Sequence, residues 1–191
     1  MRNFVYKHTL GYVLLFVFSL TFAQKKYSSK AASSQLTLEG KTLTGYTTSF
    51  DFAREDVRKG WWKFAREFGS PLNMKTYYKV TIPSERTDGN VDLVIYTQSN
   101  DGNGGTMFFL GLENKTYKDQ ALTMILDFKK KFYINDLLAQ IENNQSKSEK
   151  LSVEYRDSVI ESKQQELLEK IADLESINQE LKEQIKKIEK S

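Results

Sequence analysis

The C-terminal part of the chain holds no residue that would break a helix. No glycine follows Gly111, no proline follows Pro83, and Glu, Lys, Gln, Leu and Ile dominate from Asp119 onward. Most of these residue types have favourable helix propensities. We therefore expect helix over almost all of residues 119–190.

Apolar residues and one asparagine recur at the a and d positions of a heptad near the end of this segment. They are Leu167, Ile171, Leu174, Asn178, Leu181, Ile185 and Ile188. A buried asparagine at an a position is typical of parallel two-stranded coiled coils, where it fixes the register. The pattern predicts a homodimer or a partner helix through residues 146–191. The alternative is an amphipathic helix that folds back on its own chain.

The direction of the helix after Asn143 is left open by the sequence. Apolar residues become sparse over residues 143–146, so a reversal into a helical hairpin is best placed there. A continuous rod is the preferred expectation, because a reversal normally uses Gly or Pro and neither occurs here.

The N-terminus has the parts of a secretory signal peptide. Arg2, Lys7 and His8 precede an apolar run that ends at Phe22, and Ala23 supplies a small residue at the cleavage point. The run is shorter than the roughly 20 residues that span a bilayer as helix. We expect residues 1–23 to be removed and the protein to be secreted, with the periplasm as its compartment and no stable membrane span after cleavage. An uncleaved anchor in the inner membrane is the alternative.

The expected mature chain lacks both histidine and cysteine. The sequence contains no Cys, and its single histidine, His8, lies in the predicted signal peptide. This excludes zinc sites built from Cys and His, haem ligation by these residues, and Ser-His-Asp or Cys-His catalysis. We predict a non-enzymatic protein with no cofactor and no metal. The net charge of +3 is too mild to indicate nucleic-acid binding.

Strand and helix signals alternate between the leader and the C-terminal helix. A strand or hairpin from Leu36 is followed by a helix with Asp51 as its N-cap, and then by three strand patterns separated by turns rich in Gly, Asn and Asp. We expect an α+β fold: an antiparallel meander of three strands plus the N-terminal strand or hairpin, packed by helices, with a long C-terminal helix or coiled coil. The predicted segments are a signal peptide at 1–23, a flexible leader at 24–35, a compact α+β domain at 36–145 and a helical stalk at 146–191.

Two adjacent tryptophans lie on the first predicted helix. Adjacent helical residues point about 100° apart, so both cannot lie at the centre of one face. Trp61 matches the apolar stripe and is predicted to be core, whereas Trp62 is predicted at its border, either packed there or exposed as a partner contact. Gly60 beside them is costly in a helix, which predicts a close approach by another element, such as a strand.

Other polar patterns are better explained by structure than by chemistry. The run from Asp101 to Gly105 begins like a calcium loop but lacks its later carboxylates, so we interpret it as a hairpin turn. Asp88, Asp92 and Glu113 are interpreted as solvated carboxylates and not as an acid and base pair. The basic residues of the first helix are interpreted as a solvated face and not as an anion site. They are Arg54, Arg58, Lys59, Lys63 and Arg66.

No catalytic or ligand-binding motif is present, so function is inferred from the architecture. We expect a non-enzymatic secreted interaction or scaffold protein that self-associates or docks through its C-terminal coiled coil. One alternative is a periplasmic holdase chaperone, a class that pairs β elements with helical arms. A second is a small-ligand module with an aromatic pocket near Tyr77, Tyr78 and Tyr96.

Overall fold

A computed structural model describes residues 25–86 and 91–191. In this part of the chain, a six-stranded antiparallel sheet is combined with three α-helices, so the predicted α+β class is confirmed. The predicted signal peptide and Asp88 lie outside the described residues. The elements are β1 Ala32–Leu38, β2 Lys41–Phe50, α1 Arg54–Ala65, β3 Ser70–Asn73, β4 Tyr78–Ile82, β5 Leu93–Gly102, β6 Gly105–Leu112, α2 Lys118–Asp157 and α3 Glu161–Glu189.

The sheet has the order β1-β2-β6-β5-β4-β3, with every neighbouring pair antiparallel. The expected N-terminal strand or hairpin is a hairpin, closed at Glu39 and Gly40 with φ of 51° and 76°. Positive φ at both central residues is the geometry that suits the twist of a tight hairpin. β2 then pairs with β6, which places the N-terminal hairpin beside the last strand of the meander.

The residues just before β1 are attached to the domain. β1 begins at Ala32, inside the segment 24–35 that the sequence predicts as a flexible leader. The Lys26 amide donates to the Asp51 carboxylate at 2.8 Å, and the Tyr27 ring lies edge-on to Tyr133 at 5.4 Å. The expectation that Asp51 caps the first helix is wrong, because α1 begins at Arg54. The Asp51 carboxylate instead accepts the hydrogen bond from Lys26.

The three-stranded meander is present as β4, β5 and β6. Its last turn is tighter than expected: Gly102 pairs with Gly105 and leaves only Asn103 and Gly104 between the strands. The run from Asp101 to Gly105 is thus a hairpin connection. The short edge strand β3 was not predicted, because Pro71 indicates a helix stop; proline is tolerated there since an edge strand has unpaired N–H positions.

The main core lies between one face of the sheet and helices α1 and α2. Its centre is aromatic: Trp61 is fully buried, as predicted, and its ring contacts Phe108 and Phe128 at 5.3 and 5.1 Å. A Cβ at Gly60 would lie 2.3 Å from the Phe132 ring. The predicted close approach at Gly60 therefore exists, but the neighbour is a side chain of α2 and not a strand.

A second, smaller core lies on the face of the sheet that the helices leave open. Leu43, Tyr77, Tyr96 and Phe109 are buried there. This explains why β6 is apolar on both faces. Gly111 makes room for the cluster, since a Cβ at that position would lie 2.4 Å from the Phe109 ring.

The long C-terminal region is a helical hairpin and not a continuous rod. α2 runs past residues 143–146 without a break to Asp157, and α3 returns from Glu161. The reversal needs neither Gly nor Pro, because Ser158 and Ile160 take extended backbone angles. The Gln164 side chain donates to the Ser158 carbonyl at 2.7 Å, which satisfies one of the carbonyls left free at the turn.

Candidate interaction site on the helical arm

The end of the hairpin continues past the last buried residue of α2 as an arm, defined here as residues 142–180. Ile141 is the last residue of α2 that is buried, and the helix continues to Asp157. At 1.5 Å per residue, this extension is about 24 Å long. Outside the arm, the ends of the two helices are joined by the Lys130 ammonium, which donates to the Glu189 carbonyl at 2.7 Å. The structure thus presents the reversal, residues 158–160, at a distance from the domain.

The predicted a and d residues of α3 face inward, toward α2 of the same chain. Leu167, Asn178, Leu181 and Ile188 are buried. Ile171, Leu174 and Ile185 are half-buried. The heptad assignment therefore identifies the inner face of α3. In this structure α2 covers the seam that the sequence assigned to a second copy or a partner helix.

The asparagine at the a position has an amide partner within the chain. The Asn144 side-chain amide donates to the Asn178 side-chain oxygen at 3.0 Å. A buried amide needs such a bond because an unpaired polar group away from water is costly. Asn144 lies in the 143–146 segment that the sequence indicated as a weak point of the helix. Its role here is to pair with α3.

The surface between the two helices of the arm is concave. A groove of about 460 Å³ lies between them. Leu151 and Leu174 line it together with charged residues of both helices, Lys147, Lys150, Glu154, Lys170 and Asp173. Both leucines are only half-buried. Each of two packed helices buries only one stripe of its surface. The outer sides of the arm are therefore in contact with solvent or with a partner.

Exposed apolar side chains concentrate on the arm. Of the large apolar residues that are exposed in the described part of the chain, five lie between residues 153 and 177. They are Val153, Val159, Ile160, Leu168 and Ile177. The two at the reversal are the most open of these, with Val159 at 97% and Ile160 at 59% exposure.

Sequence reasoning missed the reversal as a site. The heptad seam given above begins at Leu167, and Val159 has no role assigned. The available signal is local: Ser158, Val159 and Ile160 form a run of a serine and two β-branched residues in a segment otherwise rich in strong helix formers. Such residues have lower helix propensities. Low propensity at residues 158–160 therefore predicts the end of the helix better than the polar segment at 143–146 does.

The arm differs in charge from the rest of the chain. Residues 142–180 hold ten acidic and five basic residues, whereas the whole chain has a net charge of +3. Most of these charges are exposed. Some pair within the helix, as when the Lys170 ammonium contacts the Glu166 carboxylate at 2.5 Å, which lowers the pKa of Glu166. An excess of negative charge favours a partner surface with basic residues and opposes close approach of a second arm.

Trp62 lies at the border of the core, as its helical position predicts. Its ring contacts the Tyr78 ring at 5.6 Å, and the Arg58 guanidinium lies 5.1 Å from the same tyrosine ring. The side chain is half-buried. Trp62 therefore already packs against the sheet, and only part of its surface is left as a contact for a partner.

The three tyrosines proposed for an aromatic pocket are divided between the two faces of the sheet. Tyr78 belongs to the core under the helices. Tyr77 and Tyr96 belong to the second core, with ring centroids 6.1 Å apart. Their hydroxyls donate to Glu39 at 2.6 Å and Glu113 at 2.7 Å. Burial, the bond to Glu113 and its negative charge raise the pKa of Tyr96.

The carboxylates considered as an acid and base pair have separate partners. Glu113 accepts from Tyr96 and from Lys41, whose ammonium lies at 2.8 Å and lowers the pKa of Glu113. Asp92 accepts from the Ser84 amide at 3.0 Å. Each carboxylate is thus occupied in tying neighbouring segments together.

A second groove, of about 370 Å³, lies between α1 and α2. Lys59 and Lys63 line it, so part of the basic side of α1 faces it. Three carboxylates and one further lysine also line it: Asp56, Glu67, Asp136 and Lys131. The Lys131 ammonium contacts the Glu67 carboxylate at 2.8 Å. Balanced charge of this kind does not favour an anion.

One buried amine stands out in the main core. Lys129 is 1% exposed, and its ammonium donates to the Thr48 hydroxyl at 3.0 Å. Burial lowers the pKa of Lys129 to about 8, with the charge of Asp51 acting in the opposite direction. Lys129 is not among the lining residues of the two grooves described above.

Within residues 25–86 and 91–191, no group of three or more acidic or histidine side chains is arranged to hold a metal ion. The same residues contain no helix with the length and apolarity required to cross a bilayer. Comparison of the chain with protein-family models, with curated proteins and with solved structures finds no match.

Proposed function

We propose that the chain is a non-enzymatic secreted interaction protein that docks a partner through the end of its helical arm. The observation that carries this is the exposure of Val159 and Ile160, at 97% and 59%, on a reversal about 24 Å beyond Ile141, the last buried residue of α2. An exposed apolar cluster with a charged surround is a common form of protein contact site.

The partner surface is defined by the chemistry of the arm. An apolar socket would take Val159 and Ile160, and basic side chains around it would complement the acidic flanks of residues 142–180. The sheet and α1 then act as the base that holds the arm. Docking in this form uses the C-terminal helical region but leaves its heptad seam closed on α2.

A holdase chaperone is the second candidate, and the exposed apolar residues along the arm favour it. Val153, Leu168 and Ile177 are between 43% and 46% exposed, so apolar contacts are available away from the reversal. A holdase uses such dispersed contacts to hold many unfolded chains, whereas a docking site has one partner. The two functions therefore predict different crosslinking patterns.

Photocrosslinking in the producing cell separates these functions. A photoreactive amino acid is placed at Val159, and a matched chain carries it at Leu138, which is 49% exposed but lies at the base of the arm. Docking predicts one discrete adduct from position 159 and none from position 138. The adduct should disappear in an I160S background, because this substitution removes the apolar contact. The substitution should change stability little, since Ile160 is largely exposed.

Other crosslinking results point elsewhere. A broad ladder of adducts from position 159 would support the holdase. The absence of any adduct, in a chain shown to be folded and secreted, would contradict both functions.

A further inference from the structure

The two edges of the sheet are protected to different degrees. β3 is four residues long and contains Pro71, and both features discourage pairing with another strand. β1 is seven residues long and has neither proline nor charge. Among the described residues, β1 pairs with β2 alone. Natural proteins usually protect an edge strand of this length with charge, proline or a bulge, or cover it with another element.

The hydrogen-bonding groups on the open side of β1 form a symmetric set. Leu38 pairs with Lys41 across a two-residue turn, so these flanking residues form a hydrogen-bonded pair. The alternation of an antiparallel ladder then directs the amide and carbonyl of Leu36 and of Ser34 toward β2. The groups of Ser33, Gln35 and Thr37 point away from the sheet, with Gln35 at their centre.

We propose that β1 pairs antiparallel with β1 of a second copy of the chain, about a two-fold axis at Gln35. In this register Gln35 lies opposite Gln35 of the second copy, and Ser33 lies opposite Thr37. All the outward amides and carbonyls of these residues are then used. The product is one continuous sheet formed from two copies, with the two arms held in a fixed relation.

Side-chain sizes and charge fit a second copy of β1. On the face shared with the second core, Leu36 lies opposite Ser34 of the second copy and Leu38 opposite Ala32, so a large side chain meets a small one at each position. Leu36 and Leu38 are half-buried and pack against the buried residues of that core. No charge within β1 opposes the approach of an identical strand, whereas like charges placed opposite each other would.

The register allows a test by charge. The double variant S33K/T37K places two lysine pairs opposite each other, and S33K/T37E places each lysine opposite a glutamate. Within one chain these positions face Tyr46 and Thr42 of β2, which are uncharged, so both variants affect the single sheet similarly. A third variant, Q35P, removes an outward amide that is not used within the sheet, which an edge strand tolerates.

Sedimentation equilibrium of the purified chain at micromolar concentration measures the outcome. We expect the unmodified chain and S33K/T37E to be dimers. The dissociation constants of S33K/T37K and Q35P should be at least about tenfold higher. Opposed like charges weaken the first interface and a lost backbone donor weakens the second, and the two-fold axis makes each change occur twice. Circular dichroism should be the same for the two charge variants, and their thermal melting should agree at a dilution where both are monomers, since association itself raises the melting temperature.

Several results would overturn the proposal. One is a monomeric unmodified chain. Another is a dimer that persists unchanged in S33K/T37K, which would place the interface elsewhere, for example on the arm. A third is equal weakening by S33K/T37K and S33K/T37E, which would show that Ser33 and Thr37 do not oppose each other. None of these results depends on whether the arm docks a partner.

Discussion

At the scale of single residues, Lys129 gives the clearest pH dependence. Its pKa is lowered to about 8 in the folded chain, below the value of about 10.4 expected when unfolded. Below pH 8 the folded state carries a buried cation, so stability is reduced there and is recovered as the pH rises from about 8 toward 10. We expect the free energy of unfolding to increase by about 1–2 kcal/mol between pH 7.5 and 9.5.

Urea denaturation at the two pH values tests this prediction, with Lys129→Met as the comparison. The variant should lose most of the increase and should be more stable than the unmodified chain at pH 7.5. The window ends near pH 10 because burial raises the pKa of Tyr133 to about 12, and a raised tyrosine pKa lowers stability above its unfolded value. An unchanged pH profile in the variant would assign the effect to another group.

Gly60 is a second residue whose role is open to measurement. Alanine normally stabilises a helix relative to glycine by about 1 kcal/mol, but a Cβ here would lie 2.3 Å from the Phe132 ring. We expect Gly60→Ala to destabilise the chain by about 1–3 kcal/mol as an overpacked site. In a Phe132→Leu background the same change should be neutral or stabilising. Additive effects in urea denaturation of the four chains would contradict the contact.

At the scale of elements, the Asn144 and Asn178 pair measures how α2 and α3 are joined. Changing either asparagine to leucine leaves the other amide without its 3.0 Å partner, so each single change should cost about 1 kcal/mol or more. The double change should restore or exceed the original stability, because an apolar pair fits an apolar seam. Thermal melting of the four chains gives the coupling free energy. Equal and additive losses would show that the two side chains do not meet.

The fold could be predicted from the sequence more accurately for some elements than for others. Turn chemistry and strand periodicity were sufficient for the meander, since its strands alternate around Gly and Asn turns. The heptad pattern identified the inward face of α3 but not its partner, because the same apolar seam suits a second copy, another protein or the preceding helix. β3 was missed because proline is common both after the end of a helix and in an edge strand. Pro71 therefore does not indicate which of the two follows α1.

At the scale of the whole molecule, the turn at Ser158 to Ile160 decides what the chain exposes. A rod would present the heptad seam to a partner, whereas the hairpin covers that seam and presents Val159 and Ile160. The preference for a rod assumed that reversals use Gly or Pro, yet extended backbone at Ser158 and Ile160 is enough. Sequence patterns describe faces of helices well, but which faces meet depends on packing over long separations along the chain.

The distance between the two helices of the arm tests the hairpin most directly. The chain has no cysteine, so Gln145→Cys and Gln179→Cys provide the only two sites for nitroxide labels, and both positions are exposed. Packed helices lie about 8–10 Å apart, so pulsed electron resonance should give a distance of about 20 Å once label length is included. This distance should survive dilution with unlabelled chain. A distance near 50 Å, as expected for a rod at 1.5 Å per residue, or a short distance that disappears on dilution, would contradict the hairpin.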